Sequence, residues 1–181
     1  NAIRGWRNPP SVHKQTQTSR SARPVTGDRS DDSPLNQRTS DWPGDAFGAG
    51  MVRFAPYSAA LGMKYVTSSP GRGMIVLPWR ADLVGIDDTD IIAPGAVTAL
   101  IDHTCGLAIM AGFGMAANPA TLDLRIDHMR PAAPRTDVTC SAHCYKATRT
   151  IAFLRAEAWD VSPDDPIATA QAAFILNRRE G

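Results

Sequence analysis

The segment Ala93-Pro94-Gly95-Ala96-Val97-Thr98-Ala99-Leu100-Ile101-Asp102-His103-Thr104-Cys105-Gly106-Leu107-Ala108 constrains the chain most. It reads as a buried helix that carries one acid, Asp102, in an apolar setting. A carboxylate there is costly unless something pairs with it or uses it. Pro94 suits the first helical position, where its missing N–H costs nothing. Val97, Leu100, Ile101, Thr104, Leu107, Ala108 and Ala111 fall on one broad face. Asp102 lies off that stripe, with Thr98, Cys105 and Ile109. The helix is expected to end near Met110, where Gly112 and Gly114 allow a stop. β-patterned segments follow at Ala120 to Met129, Asp137 to Ala147, Ile151 to Val161 and Ile167 to Asn177. One apolar helix followed by antiparallel strands predicts an α+β domain, a central helix wrapped by a curved antiparallel sheet of five or six strands.

Upstream, Phe47 to Leu61 suggests a short helix that Pro56 weakens. Gly62 to Thr67 and Gly73 to Trp79 read as a strand pair joined by the turn Ser68-Ser69-Pro70-Gly71-Arg72. Ala81 to Ile92 reads as a connection with a short strand or turn, and holds the acidic cluster Asp87-Asp88-Thr89-Asp90. In Thr121-Leu122-Asp123-Leu124-Arg125-Ile126-Asp127 the alternation turns Leu122, Leu124 and Ile126 to the core. Thr121, Asp123, Arg125 and Asp127 then face the other way.

The formal net charge of +1 gives no strong field for nucleic acid or membrane, so neither is an expected partner. No uninterrupted apolar run reads as long enough to cross a bilayer. No secretory signal is visible, and the expected location is cytoplasmic. Asn1-Ala2, without Met, reads as a cloning scar or a truncated start. Residues 1–45 are rich in Ser, Thr, Arg, Asp and Pro and read as an extended polar arm. The arm is expected to drape over its own domain or a neighbouring subunit, with Trp6 and Trp42 as anchors; residues 46–181 form the folded domain. Cys140 and Cys144 share a strand face about 13 Å apart, too far for a disulfide. With Cys105 they read as reduced thiols. His143 points away from Cys144, so no metal cluster forms there.

The order and spacing of these motifs resemble the hotdog-fold thioesterases of the PaaI-like (phenylacetyl-CoA thioesterase-like) family, over Gly62 to Leu176. The family pattern opens the central helix with His-Gly-Gly and places a carboxylate two turns later in a Leu-x-Asp context. A Thr/Ser-x-Asp-x-x-Ile strand and a Pro-Ala turn follow. Here these are Leu100-Ile101-Asp102, Thr121-Leu122-Asp123-Leu124-Arg125-Ile126 and Arg130-Pro131-Ala132. The departure is Ala93-Pro94-Gly95 in place of His-Gly-Gly. Pro94 has no N–H to polarise a thioester carbonyl, which leaves Gly95 and Ala96, aided by the helix dipole.

The resemblance implies an acyl-CoA thioesterase acting on an aryl- or medium-chain acyl-CoA, with no metal or other cofactor. Asp102 is the expected general base or nucleophile, Gly95 and Ala96 the oxyanion donors, and Thr121 the hydroxyl that orients water. Ala93, Pro94, Thr98 and His103 line the expected substrate site. Asp87 stands near the family's water-positioning Asn or Gln. Arg130, Arg135, Lys146 and Arg149 are candidates for the coenzyme A phosphates. Ile109, Met110, Phe113 and Met115 are candidates for the acyl tunnel. In the family two subunits place each site between their helices, so a homodimer or homotetramer is implied. Asp123 and His128 have a hydratase-like spacing, but residues five apart on a strand face opposite sides. The alternative reading is a hotdog protein that binds acyl-CoA without hydrolysing it, which Pro94 favours.

Overall fold

The computed structural model describes residues 44–114 and 117–177. Two short helices, α1 (Asp45–Phe54) and α2 (Pro56–Leu61), lead into a hairpin of β1 (Lys64–Ser69) and β2 (Arg72–Leu77). A 3-10 turn (Ala81–Leu83) and a loop then reach the long helix α3 (Pro94–Phe113). Strands β3 (Pro119–His128), β4 (Val138–Ala147), β5 (Ile151–Trp159) and β6 (Ala168–Leu176) complete the chain. The six strands form one antiparallel sheet in the order β1-β2-β4-β5-β6-β3. This is the expected hotdog arrangement, with β1 and β3 at the edges.

Local chemistry explains the elements. Pro56 divides the expected helix in two, because it serves as the first residue of α2 and has no N–H to continue α1. Gly62, at φ 73°, ends α2 in the left-handed region. The hairpin turn is tighter than expected, since Ser68 and Ser69 stay in β1 and Gly71 takes φ 72°. Trp79 lies beyond the end of β2. The connection before α3 contains the anticipated short pairing, a bridge between Val84 and Ile92.

Helix α3 runs to Phe113, one turn further than expected, and is buried on most of its circumference. Leu100, Ile101, Cys105, Ala108 and Ile109 are fully buried against the sheet. Cys105 and Ile109 therefore join the core, a correction to the single stripe read from periodicity. Phe113 also packs in the core, so neither Ile109 nor Phe113 lines an open tunnel. Each fully buried Leu or Ile contributes roughly 1.5–3 kcal/mol, so this helix anchors the domain. Its close approach to β2 requires Gly73: a Cβ there would lie 3.0 Å from Leu107 and 3.1 Å from the Ala108 nitrogen. By length and composition α3 is also apolar enough to cross a membrane, with mean hydropathy 1.5, contrary to the reading of the sequence. Two thirds of that window (67%) is buried inside the protein, which accounts for its apolarity.

Three bulges curve the sheet. The register skips Val66 in β1, Leu122 in β3 and Tyr145 in β4. Each skipped residue is a large hydrophobe turned outward, at 46%, 55% and 44% exposure. A bulge shifts the alternation by one residue. That overturns the expectation for β3: Leu124 and Ile126 pack toward the core, but Leu122 does not. The arm assigned to residues 1–45, with Trp6 and Trp42, lies outside the described residues up to position 43, as does Met115.

Candidate active site

The Leu122 bulge builds the site. Thr121 pairs with Phe174, and Asp123 pairs with the next residue along, Ala173. Residues opposite each other share a face of the sheet. Phe174 is buried on the helix side, so Thr121 turns toward α3 rather than away from it. There its Oγ1 donates to Asp102 Oδ1 at 2.7 Å. Asp102 thus finds its partner in Thr121, not in His103, and its Oδ2 carries no bond to another described residue.

Asp102 occupies the one strip of α3 that the sheet leaves open. Gly95, Thr98, Ala99, Asp102, His103, Gly106 and Met110 are exposed or half-buried, at the three- and four-residue spacing of one helix face. Gly95 and Gly106 have open space where a Cβ would be. The His103 Nε2 is buried and unpartnered among the described residues. Burial lowers the His103 pKa, and the nearby Asp102 charge offsets this in part. The imidazole is therefore neutral at pH 7.

The helix start supplies fewer donors than expected. Pro94 is exposed at the first helical position. The Ala96 N–H donates to the Ala93 carbonyl at 3.0 Å, and its side chain is buried. The Ala93 N–H donates to the Leu83 carbonyl. Thr98 Oγ1 donates back to the Pro94 carbonyl at 3.1 Å. That leaves the Gly95 N–H, exposed at the positive end of α3, as the free backbone donor.

Beside this helix start lies a cavity of about 190 Å³, lined by Ile86, Ile92, Pro94, Val97, Pro131 and Ile167 among others. Its lining is nearly all apolar, with His128 and Arg130 contributing to the wall. An engineered cavity of about 150 Å³ holds benzene, so this one is of comparable size.

The basic candidates do not converge. Both Nη groups of Arg130 are engaged: Nη1 and Nη2 donate to Asp160 at 2.9 and 2.7 Å, and they also donate to the Pro131 and Asp165 carbonyls, while the buried Nε makes no hydrogen bond among the described residues. Its Nε lies 3.0 Å from Asp165 Oδ2. The Arg130 guanidinium and backbone N–H groups of Ala133 and Val161 hold the buried Asp160 carboxyl well below its ordinary pKa. Arg130 is therefore a structural brace, a correction to its role as a phosphate ligand. Arg135 likewise braces the loop before α3, with Nε donating to Asp90 Oδ2 at 2.8 Å and the guanidinium 6.0 Å from the Trp79 ring. Trp79 Nε1 donates to the Asp90 carbonyl, so Asp90 is the structural member of the acidic cluster. Asp87 is exposed in that loop without a side-chain partner among the described residues. Lys146 is exposed just after the β4 bulge, and Arg149 is exposed in the β4–β5 turn. No recorded contact ties either of them to Asp102.

The three cysteines are free and buried. Burial pushes the Cys140 thiol up to about 12 and the Cys144 thiol to about 11, and Cys105 well above its usual value. None is a nucleophile at neutral pH.

Comparisons with known proteins agree with the fold. The thioesterase superfamily model matches residues 91–167, from the loop before α3 to the residue that precedes β6. A crystal structure of a Pseudomonas aeruginosa protein is similar at 30% identity, with a TM-score of 0.65, over 71% of this chain and 95% of that one. A second conserved Pseudomonas aeruginosa protein matches at 27% identity and TM-score 0.63, over 70% and 97% of the two chains. The phenylacetic acid degradation protein PaaI of Thermus thermophilus shares the fold at 24% identity and TM-score 0.58, over 67% and 98%. No curated protein matches the sequence.

Proposed function

For this chain, which belongs to the thioesterase superfamily and has its hotdog fold, we propose hydrolysis of an aryl- or medium-chain acyl-CoA with Asp102 as general base. The carrying observation is the Thr121–Asp102 hydrogen bond on the open strip of α3. Thr121 fixes Oδ1, so Oδ2 is left to take a proton from water. The water oxygen attacks the thioester carbonyl, and the oxyanion is met by the Gly95 N–H at the helix start. Collapse of the tetrahedral species breaks the C–S bond, and the thiolate leaves with the proton that Asp102 accepted. The products are the carboxylic acid and coenzyme A.

The site is composite in this reading. Asp102 lies two turns from Gly95 on the same helix, roughly 10 Å along the axis, too far for both to act on one carbonyl. Two copies of α3 packed antiparallel through their open strips bring Asp102 of one chain to Gly95 of the other. The small residues Gly95, Ala99 and Gly106, the unpartnered His103 Nε2 and the edge position of β3 support that pairing. The apolar cavity beside Pro94 then receives the acyl group.

The engaged Ala96 N–H and the proline at position 94 favour one second reading, acyl-CoA binding without turnover. A thiol-release assay over aryl and aliphatic acyl-CoA thioesters separates the two. Hydrolysis predicts turnover by the wild type and at least a roughly hundredfold loss in Asp102→Asn with the fold intact. Equal rates in both proteins, or no turnover with saturable acyl-CoA binding, would sink the hydrolytic reading.

A further inference from the structure

The outer face of the sheet, away from α3, carries a second constellation. The strand registers set Ser69 opposite Arg72, Arg72 opposite His143, and His143 opposite Arg155. These side chains form one row across β1, β2, β4 and β5, about 4.8 Å from strand to strand. The next row on that face is Thr67, Met74, Ser141 and Glu157. An open hollow of about 440 Å³ lies over both rows.

Arg72 and Arg155 each lie directly opposite His143, so two guanidinium charges converge on one imidazole. Arg80, Arg125, Arg130 and Arg135 each have a carboxylate within ion-pair distance. Arg72 and Arg155 have none among the described residues, although Glu157 borders the same hollow. Arg155 is instead held over the Tyr145 ring at 5.0 Å. His143 is kept neutral by partial burial and by the two flanking guanidinium charges.

We propose that this row binds the diphosphate group of a small phosphorylated ligand. Arg72 and Arg155 are two strand spacings apart, about 10 Å between backbones. Their side chains span that gap from both ends, so each guanidinium grips one phosphoryl group in the fork geometry it favours. His143 lies beneath the bridging region, with Ser141 two residues along β4 and Ser69 beyond Arg72 at the end of the row. A hollow of 440 Å³ falls within the size of small-molecule sites and leaves room beyond the diphosphate, above Met74. The acid Glu157 and the net charge of only +1 disfavour an extended polyanion such as nucleic acid. The site is independent of the thioester chemistry, because Asp102 lies on the opposite side of the sheet.

The test is titration of the full chain with inorganic pyrophosphate and with ADP, by calorimetry and by NMR of the His143 imidazole. Saturable binding is expected at one ligand per chain, with the His143 pKa rising on binding. Burial, Arg72 and Arg155 hold the pKa of that imidazole down, so a bound anion opposes the two arginines, and Glu157 borders the same hollow. Arg72→Gln and Arg155→Gln should each weaken binding at least about tenfold, with thiol release and circular dichroism unchanged. Tighter binding of ADP assigns the rest of the hollow to a nucleoside; equal binding assigns the site to the diphosphate alone. Absence of saturable binding, or wild-type affinity in both variants, overturns the proposal. So does a change of oligomeric state in the variants with no effect on either anion, which makes this face an interface between copies.

Discussion

Replacing Pro94 with alanine adds one N–H to the start of α3 and changes little else. Pro94 is exposed at the first helical position, where a backbone N–H has no acceptor within the helix. Loss of the ring's restriction on the unfolded chain costs about 0.4–1 kcal/mol of stability. The new donor points outward beside the Gly95 N–H, where the developing oxyanion is assigned. A well-enclosed oxyanion donor contributes about 2.7–4 kcal/mol. Here the helix start is solvent-exposed and water competes for the charge, so about 1.4 kcal/mol is the reasonable share. That corresponds to about a tenfold rise in kcat. KM should barely move, because the oxyanion exists only at the transition state. The measurement is steady-state thiol release from the best acyl-CoA of a panel, alongside urea denaturation of both proteins. An unchanged or lower kcat, with stability within about 1 kcal/mol of wild type, would refute the assignment of the helix start as the oxyanion site.

Other consequences follow from particular contacts. Thr121→Val removes the donor to Asp102 and should lower kcat about tenfold, within the value of a hydrogen bond to a charged group; Thr121→Ser should retain most activity in the same assay. Gly73→Val drives a side chain into Leu107 and the Ala108 nitrogen, and should cost about 1–3 kcal/mol by urea denaturation. The Asp160 pKa is depressed by Arg130, so its contribution to stability is full above its unfolded value, about 4. It is lost as pH falls through the lower folded value. Acid unfolding followed by circular dichroism should therefore begin below about pH 4, and Arg130→Gln should move its midpoint upward. Native protein should leave Cys105, Cys140 and Cys144 unreactive to a thiol reagent at pH 8 on account of their burial, and urea should expose all three.

Much of the fold was legible because its pattern is coarse. Helix α3 shows a proline start and a long apolar run, β5 and β6 alternate over nine residues each, and β4 alternates as far as Tyr145. The bulges were not legible. Nothing in Thr121-Leu122-Asp123 announces an inserted residue, since bulge position depends on how β3 meets β6. Strict alternation therefore sent Thr121 to the wrong face, while its expected role, a hydroxyl that orients water, came from family resemblance alone. Asp102 itself was legible, as an isolated charge in an apolar helix. Arg130 misled because a lone arginine in a turn looks free, and its partners Asp160 and Asp165 lie thirty or more residues away. The row of Arg72, His143 and Arg155 was equally hidden, because it exists only through the strand register.

Subunit complementation tests most directly whether catalysis joins Asp102 of one chain to Gly95 of another. Asp102→Asn and Gly95→Pro are each expected to be nearly inactive, the second because it removes the remaining N–H at a position where proline is tolerated. In a two-fold dimer of one mutant chain with the other, one site carries both changes and one carries neither. Equal mixing with full exchange should therefore restore about a quarter of wild-type thiol release. Exchange shown by mass spectrometry with no recovered activity would contradict a shared site.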